Sequence, residues 1–567
     1  MAGRRARHQK PRHPIGRLRQ ENARMNRIGN RLAAGGRIDR AQPLGFVFDG
    51  RSLAGYQGDT LASALLGNGI MLTGRSFKYH RSRGIFSAGP EEPNALVTLG
   101  TGGRREPNLP ATMLELAEGM TAESQNRWPS LAFDLQSLNG LFSPFLSAGF
   151  YYKTFMGPTR RAWMFYEHFI RKAAGLGRAG TEPDPGRYEA RHAFADVAVV
   201  GGGPAGLSAA RAAATAGASV ALIEQDFLLG GQLLSERPDA DAAAWLSAIE
   251  AELAGLDNVT LMRRTMAFGT FDANTLGLIE RRDGRAAEAA ARQVFTMLRA
   301  RSIVFATGAI ERPLVFSNND RPGVMLASAA RTYLNRFAVL PGKKIAVATT
   351  HDGAYRAAFD LAAAGAEVTV ADQRGAPPSG LAAEARRLNI AIRAGTLITD
   401  LRGGHTVKAA QLAGPGGNLE IACDLVCLSG GWSPSVHLTS HLGVKPVYRG
   451  DIDGFVPGAL PAGQFGAGAM MGRFSTTGAI EDGHRAGIEA ASSCGKSATV
   501  PAPLKLDLGE AAAAPFRAIA STGRGKAFVD FQMDVTERDI ELAHREGYES
   551  VEHLKRYTTL GMGTDQG

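Results

Sequence analysis

Two kinds of apolar spacing alternate through the middle of the chain. Val197-Ala-Val-Val200 is an unbroken apolar run, the form a strand takes when both of its faces are covered. Gly201-Gly-Gly203-Pro-Ala-Gly206 interrupts it, and the Ala-rich stretch Leu207 to Ala216, ending at Gly217, predicts a helix. A second apolar run, Val220 to Ile223, ends on Glu224. The alternation returns once more: Lys344 to Ala348 is strand-like, Ala354 to Ala364 helix-like, and Val368 to Ala371 a strand ending at Asp372. Between the two units, Arg301 to Phe305 reads as a strand closing on the Ala306-Thr-Gly308 turn, and Cys423 to Leu428 is another apolar run. Near the N-terminus Phe46-Val-Phe48 alternates as a strand, turns at Asp49-Gly50, and is followed by a capped helix from Thr60 to Leu66. Near the other end, the acidic side chains after Thr536 suit the start of a helix running through Ile540 to Glu546. From about Pro107 to Tyr188 the pattern is of connecting helices with apolar faces. For Trp128, Trp163 and the cluster from Phe142 to Phe155, core packing and an interface patch both stay open.

The first unit carries chemistry in its turn. Gly201 permits the tight bend, Gly203 lets backbone amides approach a pyrophosphate, Gly206 allows close helix packing, and the helix N-terminus favours negative charge. Glu224, at the end of the next strand, is placed to accept hydrogen bonds from ribose hydroxyls, and an acid there disfavours a 2′-phosphate. The expectation is a bound dinucleotide, NAD rather than NADP. The second unit turns through Thr349-Thr-His-Asp-Gly353 with a single glycine, which favours a structural repeat over a second working site.

Composition narrows the class. The length of 567 residues implies roughly four units at ~150 per domain, and 70 glycines point to many tight turns in an α/β protein. Three cysteines are too few for a disulfide framework or a four-thiolate cluster, which suggests a reducing, cytoplasmic setting. The net charge is +10, and residues 1–40 alone hold 12 Lys or Arg against two acids, so the remaining chain is neutral overall and no nucleic-acid partner is expected. A mis-assigned start upstream of Met25, a disordered tail and a targeting segment all remain open for that basic stretch. No membrane span is expected, because glycines and Pro204 break the one long apolar run. The 12 histidines are scattered; His351 and His437 read as structural, and no metal spacing occurs.

The order of these segments resembles the two-dinucleotide-binding fold of the pyridine nucleotide–disulfide oxidoreductases over about residues 194 to 496. Two features depart from its catalytic members. Cys423 and Cys427 are spaced CxxxC in an apolar strand and read as core cysteines, so a redox dithiol is lacking. Gly466-Ala-Gly468-Ala469 has Ala469 where flavin-binding members have an Asp for the ribityl chain, which makes NAD the better occupant than FAD. The N-terminal part, with Gly74 to Gly84 and Ser87 to Val97, is similar to a β-grasp ferredoxin-like domain. Ser87, Glu92 and Ala95 stand where relatives place cluster ligands, so no iron–sulfur cluster is expected. With Glu91-Glu-Pro-Asn94, Gly525 to Asp539 and Ser550 to Gly567, the chain closely resembles the α subunit of heterotetrameric sarcosine oxidase, but only about the first 60% of it. The resemblance implies that a folate-binding aminomethyltransferase-like domain would follow Gly567, and a truncated product and a separately encoded domain both stay open. The expected organisation is a basic tail over 1–36, a cluster-less β-grasp domain over 37–108, and a helical connecting segment over 109–190. The two-dinucleotide-binding domain then spans 191–500, with its second Rossmann unit inserted at about 340–435, and a small helical module spans 501–567.

The resemblance implies a function for the assembly. Sarcosine is oxidised by FAD in a β-type subunit, and electrons pass through FMN near the α/β interface to oxygen, giving peroxide. Glycine is released with formaldehyde or methylenetetrahydrofolate, and smaller subunits complete the complex. For this chain it implies a tightly held NAD that takes no hydride, with no catalytic residue of its own. Ala205, Glu224, Gln225 and Gln232 carry over as contacts around pyrophosphate and ribose, and Ala469, Phe474 and Thr476 as the opposite wall. Ala267 carries over as a backbone contact to adenine, and Gly308 as part of the same site. Lys526, Lys555 and Arg556 are candidates to face an FMN phosphate, with solvated surface charge the alternative. A second reading is a self-sufficient FAD and NAD(P)H oxidoreductase acting on amines or opines.

Overall fold

The computed structural model describes residues 29–155, 157–159, 161–173, 176–237, 240–282, 291–508 and 525–564. The basic tail lies mostly outside them, but from residue 29 onward it is part of the fold. Arg31 pairs with Asp59 at 2.8 Å, and Leu32 N donates to Ala338 O at 2.8 Å.

The N-terminal sheet starts with the hairpin of β1 (Asp39–Phe48) and β2 (Arg51–Gln57). Asp49 and Gly50 both take positive φ, 49° and 75°, as a two-residue turn matching strand twist requires. α1 (Leu61–Gly67) is wholly buried beneath it, started by a capping box between Thr60 and Ser63. β3 (Leu96–Leu99), β4 (Glu106–Pro110) and β5 (Met120–Ser124) complete the order β2-β1-β5-β3-β4. The sheet therefore does not close at residue 108. β5 lies in its middle, parallel to β1 and antiparallel to β3, because Met120, Ala122 and Ser124 bury one face between the two hairpins. Helical turns follow only beyond it, among them α2 (Ala162–Ala173).

The nucleotide-binding sheet is built on β6 (Tyr188–Val200), α3 (Pro204–Thr215) and β7 (Val220–Ile223). β8 (Val259–Met262), β9 (Thr265–Phe271), β10 (Thr275–Arg281) and β11 (Gln293–Phe305) extend it in the order β8-β7-β6-β11-β10-β9, with Gln464–Gly466 alongside β11. The second unit is an all-parallel sheet, β12-β16-β13-β14-β15. Its elements are β12 (Val324–Leu326), β13 (Lys344–Thr349), α4 (Gly353–Ala363), β14 (Glu367–Asp372), β15 (Ala391–Ala394) and β16 (Leu425–Ser429). α5 (Thr476–Ser493) returns to the first unit. The C-terminal module opens with a short hairpin, Phe528–Asp530 and Val535–Thr536, before α6 (Glu537–Arg545) and α7 (Val551–Thr558). Among the described residues no helix is long and apolar enough to cross a membrane.

These parts are joined at Arg83, which is 1% exposed. Its Nη1 lies 3.0 Å from Asp320 of the nucleotide-binding part, its Nη2 bonds Asp534 of the C-terminal hairpin, and its guanidinium stacks 4.6 Å from the Phe528 ring. Asp534 also accepts the Lys78 and Tyr79 amides at 2.8 and 3.1 Å. Burial would raise the Asp320 carboxyl, but Arg81 and Arg83 hold it below its ordinary value. Removing Arg83 takes the cation from the buried Asp534 and leaves Asp320 to Arg81 alone, so Arg83→Met is expected to cost about 3–5 kcal/mol, measured by chemical denaturation. A loss below about 1 kcal/mol would show the contact to be dispensable.

Candidate functional site

The glycine turn after β6 is shaped by contacts that admit no side chain. Gly201 sits at φ +106°, and a Cβ there would lie 2.3 Å from Ala306 O. A Cβ on Gly206 would lie 1.8 Å from Gly201 O. Gly203 is different: it has φ −79°, which any residue adopts, and the nearest atom to its Cβ position is Gly231 Cα at 3.9 Å. Space above Gly203 is therefore open, at the start of a helix that Pro204 begins without a side-chain cap. Helix-start amides and open space over a glycine are what an approaching pyrophosphate needs.

Glu224 closes one side. Its Oε2 accepts Gly202 N at 2.6 Å and its Oε1 accepts Asp226 N at 2.8 Å. A carboxylate offers about four acceptor positions, so capacity remains for ribose hydroxyls. Burial pushes this carboxyl up to about 7, against the pull of those two amides. The turn from Gly230 to Gln232 crosses the glycine loop, with Gly230 N donating to Gly202 O at 2.8 Å. Gln232 and Gln225 are both exposed beside it.

The remaining expected positions fall around this turn at different removes. Ala205 is nearly buried on α3, and a Cβ on Gly468 would meet its Cβ at 2.7 Å, which brings the segment holding Ala469 to the helix start. Phe474 and Thr476 lie where α5 begins, half-buried. Ala267 is on β9, two residues beyond Thr265, whose amide donates to Glu224 O at 2.8 Å. Gly308, at φ +78°, follows Ala306 and Thr307, and its O accepts Ser435 N at 3.0 Å. Sequence reasoning missed three polar groups here. Asp482 on α5 accepts Gly468 N at 2.9 Å, and Arg336 forms a two-pronged pair with Asp226 at 2.6 and 2.8 Å. Arg264 pairs with Glu115 of the N-terminal domain at 2.6 Å. Asp226, two residues past Glu224, was the available signal.

The second unit differs at its acid. Asp372, at the position matching Glu224, is taken up by the Tyr355 hydroxyl at 2.9 Å and by Arg374, which also holds Asp352 at 2.6 Å. His351 Nε2 meets Ser429 Oγ at 2.7 Å and Ser429 bonds Glu311, all three buried. Burial pushes the His351 imidazole down to about 4. His437, by contrast, is exposed. Cys423 and Cys427 are buried free thiols, and burial pushes Cys423 up to about 12, so no nucleophilic dithiol forms.

The ferredoxin-like domain has no thiolate ligand, since cysteine occurs only at 423, 427 and 494. Glu92 fills the loop instead. Its Oε2 accepts Phe86 N and Ser87 N at 2.9 and 2.7 Å, and its Oε1 accepts Asn94 N and Ala95 N, both at 2.9 Å. The residues present do not fit a cluster.

A two-dinucleotide-binding oxidoreductase core joined to a ferredoxin-like domain is the class these features define. Three family models agree: 2Fe-2S iron-sulfur cluster binding domain over residues 41–127, Pyridine nucleotide-disulphide oxidoreductase over 195–454, and Sarcosine oxidase A3 domain over 524–567. The sarcosine oxidase subunit alpha of Rhizobium meliloti (strain 1021) is 47% identical over 95% of this chain and 55% of its own length. That of Corynebacterium sp. (strain P-1) is 37% identical over 94% and 52%. The chain is thus a homologue of the sarcosine oxidase α subunit, and it spans about half the length of these relatives. L-proline dehydrogenase from P. horikoshii superposes with a TM-score of 0.59 over 93% of this chain and 90% of that one, at 20% identity, a likeness of fold.

Two outcomes test the cradle. Gly203→Ala has room to fold, so its melting temperature should match the parent while adenine-dinucleotide affinity falls about tenfold or more; unchanged affinity by calorimetry would place the ligand elsewhere. Glu224 ionises near pH 7 in the folded chain, so affinity should rise about tenfold from pH 6 to pH 8 and Glu224→Gln should flatten the profile. The same raised value works oppositely on stability: this group's contribution is full below the ordinary carboxyl range and is lost as pH rises through about 7.

Proposed function

We propose that the chain is the α-type subunit of a heterotetrameric sarcosine oxidase that holds NAD without redox duty and scaffolds a flavin-bearing β-type subunit. Smaller subunits complete the assembly, in the cytoplasm. It converts sarcosine, oxygen and water to glycine, peroxide and formaldehyde, or passes the one-carbon unit to tetrahydrofolate. FAD in the partner and FMN at the shared interface would supply the electron acceptors, and no step is assigned to a residue of this chain.

The chain's own residues bind and orient. The amides at the start of α3 face the open space over Gly203, where a pyrophosphate would lie, and Glu224 has acceptor capacity left for the ribose. The observation that carries the reading is the inequality of the two turns. One is open over a glycine, whereas the other has its acid saturated by Tyr355 and Arg374. A reductase working by itself needs two nucleotides in hydride-transfer contact, and this arrangement supports one. The relatives named as sarcosine oxidase α subunits support the substrate class.

Lys526 supports an FMN-phosphate role less directly. It is half-buried 4.1 Å over the Tyr79 ring, and burial lowers its ammonium below the ordinary value. The deciding experiment is to denature the purified protein and identify what is released. NAD without flavin, unreduced after turnover of the complex, is the expected result; FAD bleached by NADH would replace this reading with the self-sufficient oxidoreductase.

A further inference from the structure

The segment between residues 128 and 176 carries apolar side chains outward on a frame whose polar groups are tied down. Phe133, Leu141, Phe142, Phe145, Phe165 and Phe169 are each more than half exposed. The frame is not a loose loop. Leu131 O accepts from the Arg75 guanidinium, with Nε at 3.0 Å. Asp134 caps the helical turn Leu135–Gly140 by accepting Gln136 N at 3.1 Å, and it is itself bonded at 2.9 Å to Nδ1 of His80, which is 0% exposed.

α2 is apolar on two faces. Trp163 and Ile170 line a cavity of about 500 Å³ shared with the Gly74–Phe77 loop, and Tyr166 meets Phe155 at 5.5 Å, while Phe165 and Phe169 point to solvent. A helix apolar on two faces is covered on both in its working state. At ~200 Å² per large side chain, more than half of it exposed, the six residues leave roughly 700 Å² of apolar surface. Thr154 Oγ1 donating to Phe145 O at 3.0 Å, and Tyr166 meeting both Phe155 and Phe165 at 5.5 and 5.8 Å, link these residues, and their sum approaches the ~800 Å² that one partner gives to a stable interface. Beside it Arg171 Nε binds Glu167 at 2.7 Å and Lys153 bonds Glu546, while Arg161 is exposed at the start of α2.

We propose that this face docks a second, different polypeptide, the flavin-bearing subunit, through an apolar surface of that partner. The inference rests on the α-subunit reading and assigns it a surface.

The test uses the chain co-expressed with its flavin-bearing partner. Benzoylphenylalanine placed at Phe142 or Phe165 should photo-cross-link to the partner. The double variant Leu141→Glu, Phe165→Glu should retain at least tenfold less flavin while keeping its adenine dinucleotide, which reports folding. Phe268→Glu and Phe271→Glu, on β9 and also exposed, should retain flavin as the parent does. Cross-links only within the chain or to a second copy, or undiminished retention by the double variant, would overturn the docking face and leave the α-subunit reading standing. A parent chain that retains no flavin-bearing subunit would overturn both.

Discussion

The nucleotide-binding half depends on backbone touching backbone around α3. The turn oxygen of Gly201 lies where a Cβ on Gly206 would be, and α5 rests its Gly483 and Gly487 on Ala205 O and Ala209 O, with Cβ positions only 2.0 and 2.3 Å from those oxygens. Three close approaches thus fix one helix against its own turn on one side and against the returning helix on the other. The consequence reaches the site directly. The start of α3 is aimed by these contacts, and the return segment Gly466-Ala-Gly468-Ala469 is pressed onto Ala205. A cradle set by missing side chains cannot drift without opening the core beneath it, where Val197, Val199, Leu207 and Ala209 are fully buried.

The two Rossmann units share a topology but differ in what their acids have left to offer. Both place an acid at the end of the second strand and a turn at the end of the first. In the first unit the acid takes two backbone amides and, among the described residues, no cation, so acceptor capacity remains. In the second, Arg374 bridges Asp372 and Asp352, and His351 closes the turn through Ser429. An acid already holding a guanidinium has little left to offer a ribose hydroxyl, and displacing that pair would uncover a buried charge. Loss of glycines and gain of internal partners therefore act in one direction.

Local pattern made most of this fold legible, and distance in the chain hid the rest. Val220 to Ile223 forms a strand with the bounds its apolar run suggests, because a fully buried parallel strand leaves no polar position to blur its ends. The β13, α4 and β14 repeat agrees to within a residue at either end for the same reason. β5 was hidden because Met120-Thr-Ala-Glu-Ser124 is short and half polar, and its burial comes from β1 and β3, each more than twenty residues away. At the site, the glycines and Glu224 could be read since their roles are backbone roles. Arg336 reaching Asp226 across 110 positions, and Asp482 turning back to Gly468, are tertiary choices with no local signature.

Glu92 makes the last connection between what the chain has lost and what it does. Four amides from Phe86, Ser87, Asn94 and Ala95 converge on its carboxyl, the arrangement by which a loop encloses an anionic group. Burial raises this carboxyl above its ordinary value, and the four donors oppose that rise. With the acid in place the loop needs no metal to stay closed, and Tyr333, donating to Ser87 O at 2.7 Å, fixes it to the nucleotide-binding part. The ferredoxin-like fold is thereby held closed without cysteine ligands for a cluster. It presents the Gly74–Gly84 loop to Asp320, to the C-terminal hairpin through Arg83, and to the apolar segment through His80 and Asp134. A ferredoxin-like domain that lacks cysteine ligands but organises three contacts at once fits the proposed role of a chain that holds its neighbours in register.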